Sequence, residues 1–129
     1  MVIQEKGADG TTPLLILQPF AFVPFEDDPD VQSFLDQVRR LGCGFTYATI
    51  KPELVTSHAS APVVDNVFLR HHQERIFRLL NGTKPTAICT IGQNLTRTLS
   101  TSMQMETSAS KRILNYPTKF RVGSGRELP

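Results

Sequence analysis

The sequence predicts an α/β fold, a three-layer sandwich in which a mainly parallel four-stranded sheet carries helices on both faces. Three observations predict it. Apolar runs of strand composition alternate with helical stripes, in the order strand-helix three times and then a strand. Leu14–Val23 (LLILQPFAFV) is continuously apolar, as a strand buried on both faces requires. Val31, Phe34, Leu35, Val38 and Leu41 recur at spacings of three and four, the stripe of one buried helix face. Right-handed crossovers then follow from strand twist. A length of 129 residues suits one domain, 1–129, with 1–13 and 123–129 as loose termini.

Within the first strand, Pro19 withholds a ladder donor, so the strand bulges or ends there. Pro24–Asp28 (PFEDD) reads as a turn leading into the first helix. Asp28-Pro29-Asp30 opens that helix with a capping carboxylate and a proline at the first helical position. Gly42 ends it. Phe45–Ile50 (FTYATI), dominated by threonine and aromatic residues, is the second strand, closed by Lys51-Pro52. Residues 52–64 hold two prolines and several small residues, a long loop of the kind that often carries function.

Asp65 or Asn66 caps a second helix running to Leu80. Phe68, His72, Ile76, Leu79 and Leu80 share its apolar face, Arg70, Arg75 and Arg78 fall off it, and Asn81-Gly82 terminates it. Val67–Leu69 alternatively reads as a short strand. Pro85–Ile91 is the third strand and residues 93–107 the third helix, with Leu95, Leu99 and Met103 facing the core. Thr107–Ser110 is a loop, and Ile113–Val122 is a fourth strand broken by Pro117.

Apolar residues make up 40% and charged residues 20%, as in ordinary soluble domains. No apolar run reaches the roughly 18 residues of a membrane helix. The opening MVIQEKGADGTT lacks the apolar centre of a secretion signal. The expected setting is intracellular, cytoplasmic or nuclear, with no membrane partner. Cys43 and Cys89 then read as reduced, buried thiols.

The net charge of +2 is unevenly spread. Residues 1–64 hold four basic and eight acidic side chains, a net of −4; residues 65–129 hold ten basic and four acidic, a net of +6. A basic half suits a polyanion, and a solvated surface that leans basic is the plain alternative. His71 and His72 are neighbours, so they cannot both face one metal from a helix, where ligand pairs favour spacings of three or four. Capping accounts for two of Asp27, Asp28 and Asp30 with less strain than a cation site does. The sequence points to no catalytic residue, no metal and no cofactor.

Lys84–Ser100 (KPTAICTIGQNLTRTLS) places an apolar strand, a glycine and a polar helix start in one line. Ligands of parallel sheets gather at the carboxyl ends of strands. There Gly92 permits a tight turn, and Gln93 and Asn94 open a helix whose unpaired N–H groups attract anions, with Thr96 and Arg97 one turn inward. A plain turn capped by Asn94 reads the same residues without a ligand. The stretch has no Walker lysine and no G-x-G-x-x-G.

LLILQPFAFVPFED, FTYATIKPEL and KPTAICTIGQNLTRTL together resemble the uracil-DNA glycosylase superfamily, over Leu14 to Ser100. The first looks like its opening strand and active-site turn, the second like its next strand and lysine-proline exit, the third like its strand-glycine-helix segment. The resemblance carries over only Gln18 from the active-site turn, since Pro19-Phe20-Ala21 stand where the family has a glycine and an acidic or amide residue. The family's late His-Pro-Ser loop has no counterpart here. The resemblance therefore implies a non-catalytic scaffold. GQNLTRTLSTSMQME (Gly92–Glu106) and KFRVGSG are similar to Alba-type proteins, including small RNase P subunits. That similarity implies nucleic-acid contacts through Gly92, Arg97 and Arg121, although a final strand is missing.

Two functions are expected from these readings. In the first, the protein is a non-catalytic subunit of a nucleic-acid-handling complex. Arg70, Arg75, Arg78, Lys111, Arg112, Lys119 and Arg121 contact DNA or RNA phosphates, and Gly92, Gln93, Asn94 and Arg97 bind at the helix start. In the alternative, it is an interaction module that docks other protein subunits through Phe20, Phe22 and Phe25, beside Glu26–Asp30 and the 52–64 loop, without touching nucleic acid.

Overall fold

Leu14–Gln18 (β2), Phe45–Thr49 (β3) and Ala87–Thr90 (β4) pair in parallel, with β2 between the other two. The computed structural model describes residues 2–92, 94, 95 and 97–99. Val2–Glu5 (β1) adds a fourth strand, antiparallel to β3, in the order β1-β3-β2-β4. The sheet is therefore mixed, not mainly parallel as the sequence predicts. The molecule is α/β, and part of the expected loose N-terminus is strand. Residues 2–5 escape sequence reading because they are few and alternate only between exposed and half-buried positions, as an edge strand does.

The crossing of the β1–β2 connection over the start of β3 explains two glycines. Gly7 N–H donates to Thr11 O at 2.9 Å and Ala8 N–H to Gly42 O at 3.0 Å. A Cβ on Gly44 would lie 1.8 Å from Thr11 O, so only glycine lets the two chain segments meet.

Pro29–Arg40 (α1) follows β2. Asp28 accepts from Asp30 N–H at 3.0 Å and Val31 N–H at 3.2 Å, satisfying the two orphan donors that follow Pro29, which has no N–H of its own. Val31, Phe34, Leu35 and Val38 bury the expected stripe against Ile16, Phe45, Tyr47 and Cys89 of the sheet. Each such side chain contributes about 2 kcal/mol on burial. Leu41 does not join them. It caps the helix and is 70% exposed, because the chain turns at Gly42 before the stripe completes another turn. Arg39 pairs with Glu5 of β1 at 2.7 Å and lies over the Phe45 ring, tying the edge strand to α1.

The second helix region is broken. Asn66–His71 (α2) is capped by Asp65, which accepts from Phe68 N–H at 3.0 Å, and Gln73–Thr83 (α3) follows after His72. The strand alternative for Val67–Leu69 is excluded, since these residues are helical. Asn81-Gly82 does not end α3; the helix runs to Thr83 and Lys84 closes it in the left-handed region, φ 46°. Phe68, Leu69, Ile76 and Leu80 pack on Leu15, Leu17, Ala48 and Ile88. Leu95 and Leu99 join that cluster, from a segment in which residues 94, 95 and 97–99 are helical. The expected body of that helix beyond residue 99, Met103, the strand Ile113–Val122 and the tail lie outside the described residues.

The first strand stops at Gln18, where Pro19 withholds its donor, and not at Val23. Beyond it, Ile50 N–H donates to Gln18 O, Lys51 N–H to Pro19 O and Val55 N–H to Ala21 O, at 2.8–2.9 Å. These bonds fasten the loop after β2 to the loop after β3. A 3₁₀ turn at His58–Ser60 lies within the long loop. Among the described residues, no helix is long and apolar enough to cross a membrane.

Candidate functional site

The carboxyl ends of the parallel strands form one edge of the molecule, and three features lie along it. The first is a cavity of about 10 Å³, lined by Ala21, Phe25, Tyr47, Thr49, Lys51 and Leu54 among others. It holds no more than a single water molecule. Thr49 borders it, 4% exposed, with no partner for its hydroxyl among the described residues. Gln18, the one residue carried over from the glycosylase turn, accepts a hydrogen bond from the Tyr47 hydroxyl. Burial raises the Tyr47 pKa, with the charge of Asp28 adding to it, so the phenol stays a donor. Gln18 is thus held by a core side chain at the strand end.

The second feature is the turn after β4. Gly92 has φ +104°, and a Cβ there would meet nothing within 4 Å, so the backbone conformation and not crowding demands glycine. Ile91 N–H donates to Leu17 O at 2.8 Å, which carries the β2–β4 pairing to this point. Asn94 is already helical, so it does not occupy the capping position. Asn94 and Arg97 are both exposed. Gln93, Lys111, Arg112, Lys119 and Arg121 lie outside the described residues.

The third feature is the largest. Arg70, His71, His72, Glu74, Arg75 and Arg78, with Gln73, line an open concavity of about 350 Å³ at the α2–α3 junction. It spans the break at His72: Arg70 lies in the last turn of α2 and Glu74 in the first turn of α3. Arg75 anchors the hollow to the sheet, its Nε donating to Thr49 O at 3.0 Å. The start of α3 thus sits beside the end of β3. Gly92, at the end of β4, lies two strand spacings away, about 10 Å across β2.

Charge in the hollow is mainly positive. Arg70 and Arg78 make no ion pair or hydrogen bond among the described residues, although Glu74 is four positions from each. His72 is half-buried and lies tilted against Phe68, their centroids 4.8 Å apart. Burial holds its pKa below the usual histidine value; the charges of His71, Lys51 and Arg75 add to that, and Glu53 opposes it. His72 is therefore neutral near pH 7.

The structure brings together three of the predicted phosphate contacts, Arg70, Arg75 and Arg78. Gly92, Asn94 and Arg97 do not line the hollow. Sequence reasoning set His71 and His72 aside as a failed metal pair and passed over Glu74. The Arg70-Glu74-Arg78 spacing of four was the available signal. Among the described residues, no three His, Cys, Asp or Glu side chains converge as metal ligands would.

The phenylalanines divide. Phe25 packs against Tyr47 and the α1 cluster, centroids 6.0 Å apart. Phe20 meets Phe22 edge-on at 5.5 Å, and Phe22 leans on His58 at 4.5 Å. Phe22 and Val23 are 39% and 40% exposed, so the loop after β2 presents an apolar tip.

No protein-family model, curated protein or solved structure matches this chain.

Proposed function

We propose that the protein is a non-catalytic, phosphate-binding subunit of a nucleic-acid-handling assembly, with the α2–α3 hollow as its contact surface. One observation carries the reading: Arg70, Arg75 and Arg78 converge on a single open concavity at a helix start, and two of the three guanidinium groups have no ion-pair or hydrogen-bond partner among the described residues. Guanidinium forks match phosphate oxygens, and the positive end of α3 adds to the attraction. Gly92, Asn94 and Arg97, with Lys111, Arg112, Lys119 and Arg121, extend the proposed contact. The basic second half of the chain supports it. The reading depends on neither family resemblance.

The scaffold goes with it. A three-layer arrangement, α1 on one face and α2–α3 on the other, is supported by the two separate apolar clusters. An intracellular setting suits Cys43 and Cys89, both unbridged, with burial pushing the Cys89 thiol up to about 12.

The test is a titration of labelled oligonucleotide at several salt concentrations. Affinity falls linearly on a log–log plot, and Arg78→Ala lowers the slope by about one. A flat plot, or no binding at low salt, sinks the proposal.

A second reading, docking of another protein subunit, is favoured by the exposed Phe22-Val23 tip. Its test is recovery of assembly components with Phe22→Ala; unchanged recovery removes that surface.

A further inference from the structure

The hollow at the α2–α3 junction holds more than charge. Phe68, 6% exposed, lies tilted against His72 with a 56° interplanar angle, and His72 meets His71 edge-on with ring centroids 4.9 Å apart. The three rings climb from the core to the surface and end in His71, which is exposed. The last of these rings and the guanidinium groups of Arg70 and Arg78, which have no partner among the described residues, line the same hollow of about 350 Å³.

We infer that the hollow selects single-stranded nucleic acid, receiving one unstacked base against His71 while Arg70 and Arg78 hold the flanking phosphates. This deepens the function proposed above and rests on it. Size is the first argument. Pockets of a few hundred cubic ångströms enclose small ligands, and a nucleotide is of that scale. Shape is the second. Duplex DNA offers phosphates along a rail and keeps its bases stacked inside, and it is met by extended basic surfaces of many hundred square ångströms. Here the arginines converge on a concavity instead. Chemistry is the third. Single strands are bound by a combination of basic groove and flat rings, because every base has a face to stack. A ring backed by His72 and Phe68 is held in place before the base arrives, so little side-chain freedom is lost on binding. DNA and RNA share this chemistry.

Fluorescence anisotropy with three labelled probes of one length tests the inference: a mixed-sequence single strand, an abasic strand with the same phosphates, and a duplex. DNA and RNA versions of the single strand separate the two sources. The base-bearing strand should bind about tenfold tighter than the abasic strand, as expected of one stacked base. His71→Ala should erase that difference and leave the abasic affinity unchanged, and His71→Phe should restore it. His71 is exposed, so a thermal midpoint equal to the parent's accompanies both variants. Equal binding of abasic and base-bearing strands, duplex binding as tight as single-strand binding, or a preference that survives His71→Ala overturns this inference and leaves the phosphate-binding reading standing. If no probe binds in a salt-dependent way, both fall.

Discussion

Arg75 Nε donates to the backbone carbonyl of Thr49 at 3.0 Å, and this bond joins the start of α3 to the carboxyl end of β3. One side chain thus serves both the fold and the hollow. Arg75→Ala should cost about 1–2 kcal/mol of unfolding free energy, the scale of a charge-assisted bond in a half-buried place. It should weaken oligonucleotide binding as well. Arg78, exposed at the rim, separates the two roles: Arg78→Ala should weaken binding and leave the urea midpoint where it was.

Among the described residues, Glu74 puts the one carboxylate into the hollow. An incoming phosphate meets its repulsion, which is worth a fraction of a kcal/mol at an exposed position. Glu74→Gln should tighten oligonucleotide binding about threefold at low salt, and the gain should vanish at high salt. A loss of affinity would show that Glu74 orients an arginine and does not oppose the ligand.

His72 gives the fold a pH dependence. Its pKa lies below the ordinary value of about 6.5 in the folded chain, so the unfolded chain takes up its proton first. Stability is therefore full above pH 6.5 and falls as the pH drops through the folded-state value. Urea midpoints measured from pH 7.5 to 5 should decline, and His72→Gln should flatten that decline. The same proton adds charge to the hollow, so phosphate binding should strengthen over the interval in which stability weakens.

Asp28 carries the start of α1 through two backbone N–H groups. Asp28→Ala should lower unfolding free energy by about 1 kcal/mol, and Asp28→Ser should retain most of it. Chemical denaturation of the three proteins decides the point.

Where the chain announces its structure by local chemistry, the sequence is readable. Asp28-Pro29 marks a helix start through a cap and a ring, Pro19 marks the end of β2 through a missing donor, and the Val31-to-Val38 stripe marks a buried face through spacing. What could not be read depends on partners far away in sequence. Val2–Glu5 becomes a strand only because β3 has a free side for it, and its antiparallel sense depends on the path of the intervening chain. The break at His72 involves neither proline nor glycine; there one N–H is shared between Phe68 O and Leu69 O, a choice made by packing. The site follows the same rule. Arg70, Arg75 and Arg78 were legible as basic and off the apolar face, yet the one hollow they line, at the α2–α3 junction, has no mark in their spacing.

The four residues at the chain start have a colloidal consequence. Every residue of β3 is buried, and β1 covers its outer margin. Bare, that margin would be an apolar rail of amide donors and acceptors, the template on which molecules add to one another and come out of solution. Val2–Glu5, short, half-exposed and clamped by Arg39, shield it from such growth, so a tag or truncation here would trade dispersity for turbidity without altering the hollow.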